Sequence, residues 1–328
     1  MRFLIAGYGS IGRRHMRNLL ALGEKDIVLY RTRHSTLPED ELQGFPVETN
    51  LEAALAHQPK AVIIANPTAL HLDVAIPAAK AGCHILMEKP ISSTLANVDI
   101  LKDALLTSGT QLLMGFQFRF HPGLQRIINE LKDGVIGRPL SFRADWGEYL
   151  PGWHPWEDYT KSYSARSDLG GGVTLTLCHP LDYMRWIFGE VKEVWGTTAK
   201  LSDLEIQVED VAEIGLRFES DVIGSVHLNY YQQPPVHRLE IVGTEGTLRW
   251  DNADGAVHEY RRGAHDWEVF PAPEGFERNE LFLEELRHFM DVCNGYVRPV
   301  CTLEDGKRSL EIVQTIYQSS KEKRTIEI

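Results

Sequence analysis

Phe3-Leu4-Ile5-Ala6-Gly7-Tyr8-Gly9-Ser10-Ile11-Gly12 decides the fold. Four apolar residues lead into glycines spaced as G-x-G-x-x-G, and an amphipathic run, Ile11 to Leu22, follows at once. A strand, a tight turn and a helix are therefore predicted in that order, the context in which this glycine spacing acts as a dinucleotide fingerprint. Gly7 allows the turn, Gly9 lets backbone approach a pyrophosphate, and Gly12 lets helix and strand pack closely. The pyrophosphate would lie on the N–H groups opening the helix, with Tyr8, Ser10 and Ile11 lining the turn.

The same alternation extends outward. Short apolar runs at Ile27 to Tyr30, Ala61 to Ala65, His84 to Met87 and Gln111 to Gly115 read as central parallel strands, buried on both faces. Helical stretches fill the gaps at Leu51 to His57, His71 to Ala81 and Leu95 to Leu106, with Asn50 as an N-cap and Gly82 as a C-terminal stop. This is an α/β pattern, a doubly wound parallel sheet over residues 1–118. Residues 119–328 read differently. A helix at Gly123 to Leu131, a strand at Leu140 to Trp146, an aromatic irregular segment and a helix from Pro180 precede consecutive strand-like runs from Val191 to about Phe270. Strands without intervening helices imply a mostly antiparallel open sheet, and closing helices at Asn279 to Cys293 and Glu304 to Ser319 complete an α+β domain.

Composition bounds the function. The 328 residues are 43% hydrophobic and 24% charged, with 34 basic against 46 acidic groups and a net charge of −12. Such a balance repels nucleic acid and anionic membrane surfaces, so neither is an expected partner. Positive charge gathers at the glycine turn, where residues 1–34 hold seven basic groups against two acids. No apolar run approaches the ~20 residues of a membrane span, and no hydrophobic signal core follows the first strand, so a cytoplasmic protein is expected. Cys83, Cys178, Cys293 and Cys301 form no CxxC pair, which implies neither disulfide nor metal.

Three strand ends carry chemistry-bearing residues, where open α/β sheets bind ligands. After the second strand, the acid that binds the ribose hydroxyls of NAD is replaced by Arg31-Thr32-Arg33. Two guanidinium groups around a hydroxyl suit a 2′-phosphate and favour NADP, with NAD the alternative if the arginines merely solvate a loop. After Ala61 to Ala65 come Asn66-Pro67-Thr68 and His71, and after His84 to Met87 comes Glu88-Lys89-Pro90. A lysine at such an end can polarise an oxygen or exchange a proton, although Glu-Lys-Pro alone would more often be a solvated turn.

Together with GFQFRFHP, GVIGRP, LGGGVTLTLCHPLDYMRWIFGEV and IVGTEGTLRWD, these motifs resemble the glucose-fructose oxidoreductase, inositol dehydrogenase and MocA family of NAD(P)-dependent sugar oxidoreductases over essentially the whole chain. The resemblance implies a Rossmann domain followed by an open antiparallel sheet that often mediates homodimers or homotetramers. It makes Lys89 a catalytic residue contacting substrate and nicotinamide, with Glu88 and an often cis Lys89-Pro90 bond shaping the turn. His179 matches the family's catalytic histidine. Pro180 suits a first helical position, so the dipole of that helix favours the neutral imidazole a base needs, while a mere capping role remains open. Thr176 stands where the family has an aspartate. Asp182 reads as a complement to the helix N-terminus rather than a replacement.

For substrate, the segment Glu148 to Tyr159 offers aromatic faces among polar groups, and Trp153, His154, Tyr159 and Tyr163 are the candidates. Arg119 is a further one for an anionic group or the nicotinamide amide, or else an interdomain salt bridge. The expected activity is hydride transfer between a sugar carbinol and nicotinamide, with no metal. A redox-assisted glycosidase or lyase and a non-catalytic dinucleotide-dependent sensor are the alternatives, the latter mildly favoured by Thr176.

Overall fold

The computed structural model describes residues 1–32 and 40–328. Arg33 therefore lies outside the described residues. Six short strands, β1 (Phe3–Ala6), β2 (Ile27–Tyr30), β3 (Val47–Glu48), β4 (Ala61–Ile64), β5 (His84–Glu88) and β6 (Leu112–Gly115), pair in parallel in the order β3-β2-β1-β4-β5-β6. Every residue of β1, β4 and β6 is buried, which is why they read as unbroken apolar runs. The order reverses direction between β1 and β4, so the crevice at their carboxyl ends is the sheet's switch point. Helices α1 (Ser10–Ala21), α2 (Leu51–Ala56), α3 (His71–Lys80) and α4 (Val98–Ser108) are the crossovers. Asn50 Oδ1 caps α2 by accepting from the Glu52 and Ala53 N–H groups. Strand β3 is absent from the sequence reading because two half-buried residues carry no period.

From Phe118 onward the elements are α5 (Pro122–Lys132), β7 (Pro139–Tyr149), α6 (Val173–Thr176), α7 (His179–Phe188), β8 (Val191–Ala199), β9 (Val211–Phe218), β10 (Ile223–Asn229), β11 (Tyr231–Gly243), β12 (Gly246–Asp251), β13 (Val257–Arg261), β14 (Glu268–Phe270) and β15 (Ile326–Glu327). The nine strands form one sheet, β14-β13-β12-β11-β7-β10-β9-β8-β15. Neighbours are antiparallel except β7 and β10, which run parallel. Pro234 and Pro235 cannot donate to a ladder, and the register of β11 on β7 shifts between Tyr231 and Val236.

Two helices complete the chain, α8 (Arg278–Cys293) and α9 (Leu303–Glu322). The compact units are not the two continuous stretches the sequence suggests. One contains Met1–Gln117, Asp168–Gly170 and Arg278–Leu310, and the other Phe118–Ser167, Gly171–Glu277 and Glu311–Ile328. Helix α8 thus belongs with the parallel sheet. The side chains of Asn18 and Asn279 exchange hydrogen bonds of 3.2 and 2.9 Å, and the Arg14 guanidinium lies 4.5 Å from the centre of the Phe282 ring. An amphipathic face shows that a helix packs, not on which sheet.

All four cysteines are unbridged and buried. Burial pushes the Cys83 thiol up to about 11 and that of Cys293 to about 12, which leaves both unreactive at neutral pH. No helix among the described residues is long and apolar enough to cross a membrane.

Candidate functional site

In the parallel-sheet unit each fingerprint glycine has a distinct reason. Gly7 sits at φ 98°, and a Cβ there would lie 2.6 Å from the Asn66 nitrogen. A Cβ on Gly12 would stand 2.0 Å from the Gly7 carbonyl oxygen, so only glycine lets α1 start so close to the turn. A Cβ on Gly9 would meet nothing within 4 Å, leaving that backbone open to an incoming group. Gly9 is also the N-cap of α1, which has neither a side-chain cap nor an acid in its first turn. These N–H groups and the positive end of the helix dipole fit a pyrophosphate. At the end of β2, Arg31 is buried with its guanidinium 5.5 Å from the centre of the Tyr8 ring, and Thr32 is exposed.

The next two strand ends are tied together by His71. Its Nδ1 lies 2.9 Å from the Pro90 carbonyl and its Nε2 3.0 Å from that of Asn66. Burial holds this imidazole below its ordinary pKa, against the pull of the Asn66 and Pro90 carbonyls and the Glu88 carboxylate. A ring 1% exposed, with both nitrogens at backbone carbonyls, braces the two turns. Thr68 is buried, whereas Asn66 and Pro67 are partly accessible, and Asn66 Oδ1 is buried with no hydrogen-bond partner among the described residues. The Lys89-Pro90 bond is cis and Lys89 is half-buried. Glu88 accepts a 2.8 Å hydrogen bond from Nε2 of the fully buried His15.

In the antiparallel-sheet unit His179 is the first residue of α7, with Cys178 as N-cap and Pro180 behind it. The ring is 2% exposed and packs against Phe118 (5.1 Å) and Trp146 (5.3 Å). Trp146 stacks in turn on His237 at 4.1 Å, and the Tyr183 hydroxyl lies 3.2 Å from His237 Nε2. The ring of His179 thus sits among aromatic side chains from Phe118 and from Trp146 of β7. Trp153 stands edge-on to Tyr230 at 5.6 Å, the Tyr159 hydroxyl accepts from the Glu205 N–H, His154 lies against Trp156, and the Tyr163 carbonyl faces Gly171.

Arg119 is buried in the same unit as α7. It makes a two-pronged ion pair with Asp182 on α7, Nε to Oδ2 at 2.9 Å and Nη2 to Oδ1 at 2.7 Å, within one unit rather than across two. Thr176 is buried beside the Tyr230 hydroxyl. The glycine turn nevertheless holds a carboxylate that sequence reasoning missed. Glu209 accepts from the Tyr317 hydroxyl (2.8 Å) and the Thr174 N–H (3.2 Å), and a Cβ on Gly172 would meet its oxygens at 2.5 Å. Burial raises this carboxyl above its ordinary pKa, partly offset by those hydrogen bonds. Nothing local marks Glu209, which precedes β9 in a polar loop.

His121 adds a pH dependence. Its Nδ1 accepts from the Gly123 N–H and caps α5, and burial among Phe118, Trp250 and Phe276 lowers its pKa to about 4. The unfolded chain takes up this proton near pH 6.5, so stability present above that value is lost as pH falls toward 4. About 3 kcal/mol should disappear over that window. Urea midpoints at pH 7 and 4.5 should move apart less in His121→Asn than in the wild type, and equal shifts would sink this account.

A strand-turn-helix cradle at the switch point of a parallel sheet, joined to a large antiparallel sheet, defines a dinucleotide-binding oxidoreductase. Residues 1–116 match the model of the oxidoreductase family, NAD-binding Rossmann fold, and residues 124–249 that of the GFO/IDH/MocA C-terminal domain. The chain belongs to this GFO/IDH/MocA family and is an NAD(P)-dependent oxidoreductase. It is 29% identical to a myo-inositol 2-dehydrogenase of Thermotoga maritima over all of this chain and 98% of that one. It is 27% identical to a D-apiose dehydrogenase of Paraburkholderia graminis over 99% and 88%. Among solved structures, a levoglucosan dehydrogenase in complex with NADH and levoglucosan superposes with a TM-score of 0.88 at 20% identity, covering 100% and 99% of the two chains.

Proposed function

We propose that the chain is a sugar dehydrogenase that prefers NADP and moves a hydride between a carbinol carbon of a sugar or sugar derivative and the nicotinamide. The observation that carries this reading is the half-buried Lys89 at the carboxyl end of β5, in the same sheet as the glycine cradle, on a turn braced by His15 and His71. The full-length likeness to inositol and apiose dehydrogenases supports the sugar class. The NADP preference is supported by Tyr30-Arg31-Thr32, where no acid follows β2 to repel a 2′-phosphate. Lys89 polarises the reacting oxygen, and His179 takes or returns its proton. Steady-state assays with NADP and NAD over sugars, polyols and anhydrosugars test this. At least one substrate should be turned over with higher kcat/KM for NADP, and cofactor binding without hydride transfer to any panel member would count against it.

A further inference from the structure

Behind the Lys89 turn, three buried titratable side chains from separate elements converge: His15 on α1, Glu88 at the end of β5 and Glu285 on α8. One nitrogen or oxygen of each lies within 4.8 Å of those of the others. The three are not equivalent. His15 Nε2 donates to Glu88 Oε1 at 2.8 Å, so one oxygen of Glu88 is satisfied. The other faces Gly115 on β6, where a Cβ would stand 3.3 Å away. Glu285 is fully buried, and neither of its oxygens has a hydrogen-bond partner among the described residues.

A carboxylate so placed would be out of reach of bulk solvent, without a hydrogen bond from the described residues, and beside a second carboxylate. The charged groups around it do not offset this. Arg14 on α1 faces Glu88 and Arg278 of α8, and His71 at the start of α3 faces Glu88, whereas the charge acting on Glu285 is that of Glu88. Burial and that neighbour both push the Glu285 carboxyl well above its ordinary range. We propose that Glu285 is a positioning residue that keeps its proton at neutral pH, so that its neutral acid packs against the His15–Glu88 pair and fixes the strand end carrying Lys89. Ionisation of Glu285 puts two carboxylates in one pocket, displaces Glu88 and loosens the turn. The positioning role rests on the reading of Lys89 above, but the protonation state does not.

The sign of the linkage gives a test that needs neither cofactor nor substrate. The folded chain keeps a proton that the unfolded chain releases above roughly pH 4.3, so the contribution of Glu285 is present below that value and is lost as pH rises through its folded value. Glu285→Gln mimics the neutral acid without titrating. In thermal unfolding of the full chain it should melt several degrees above wild type at pH 8, with the gap closing toward pH 4.5. Should the amide fit poorly, Glu285→Met must show the same pH-dependent gap about a lower baseline. A pH-independent gap overturns the proposal, as does a Gln variant less stable at pH 8 that has lost a stoichiometric divalent metal ion found in wild type. The positioning role is read from NADPH affinity between pH 6 and 9.5. Wild-type affinity should weaken with rising pH by more than that of the Gln variant, and identical profiles overturn it.

Discussion

Arg119→Ala should cost the folded chain about 3–5 kcal/mol, the range for breaking a buried ion pair from one side. The Arg119 and Asp182 side chains are 4% and 2% exposed, and the guanidinium meets both carboxylate oxygens, the geometry that makes arginine hard to replace. Truncation strands the carboxylate of Asp182 in the first turn of α7. The helix N-terminus there partly offsets the stranded charge, by at most ~2 kcal/mol, so the loss stays large. Contact with the Trp186 face, 5.7 Å from the guanidinium carbon, is lost as well. Removing both charges is a different experiment, because an apolar pair of similar volume no longer leaves a buried ion. Arg119→Met with Asp182→Leu should recover most of the loss. Urea denaturation of wild type, Arg119→Ala and the double variant measures this, and an Arg119→Ala cost below about 1 kcal/mol would contradict it.

The same pair shows where sequence reading stops. Asp182 in the first turn of α7 is legible as a complement to the helix dipole, and that much is local. Its partner lies 63 positions away, and nothing in the period of either segment selects it. The strands of the parallel sheet were readable because burial on both faces leaves an apolar run, and the glycine turn because each glycine answers a local steric demand. His179 was placed beside an N-cap because Pro180 fixes the start of a helix. Glu285, Glu209 and the rings around His179 escaped because their meaning comes from what folds against them. A glutamate inside an amphipathic helix, such as Glu285 in α8, looks solvated until the helix is docked.

His179→Asn and Lys89→Met should each lower kcat by about 10²–10⁴-fold, the usual worth of a positioned proton-transfer group, while NADPH affinity falls far less. Oxidising a carbinol removes a hydride and a proton, and a nicotinamide held at the glycine cradle would supply the hydride acceptor. The proton must go to the protein. His179 opens α7, where the positive end of the helix dipole favours a neutral imidazole over an imidazolium, as the proposed role requires. Its burial against Phe118 and Trp146 fixes the ring plane, which lets a small displacement cost much rate. In the proposed role Lys89 contributes through charge, since an ammonium favours a developing alkoxide over a hydroxyl. Groups acting on one proton transfer are not additive, so the double variant should be little slower than the worse single one. In wild type, kcat/KM for oxidation should show a limb that rises with pH, as general-base removal of the hydroxyl proton requires, and His179→Asn should lose that limb. If the two substitutions multiply, or the limb survives in His179→Asn, the proton leaves by another route, and the buried carboxyl of Glu209 at the glycine turn becomes the group to replace next.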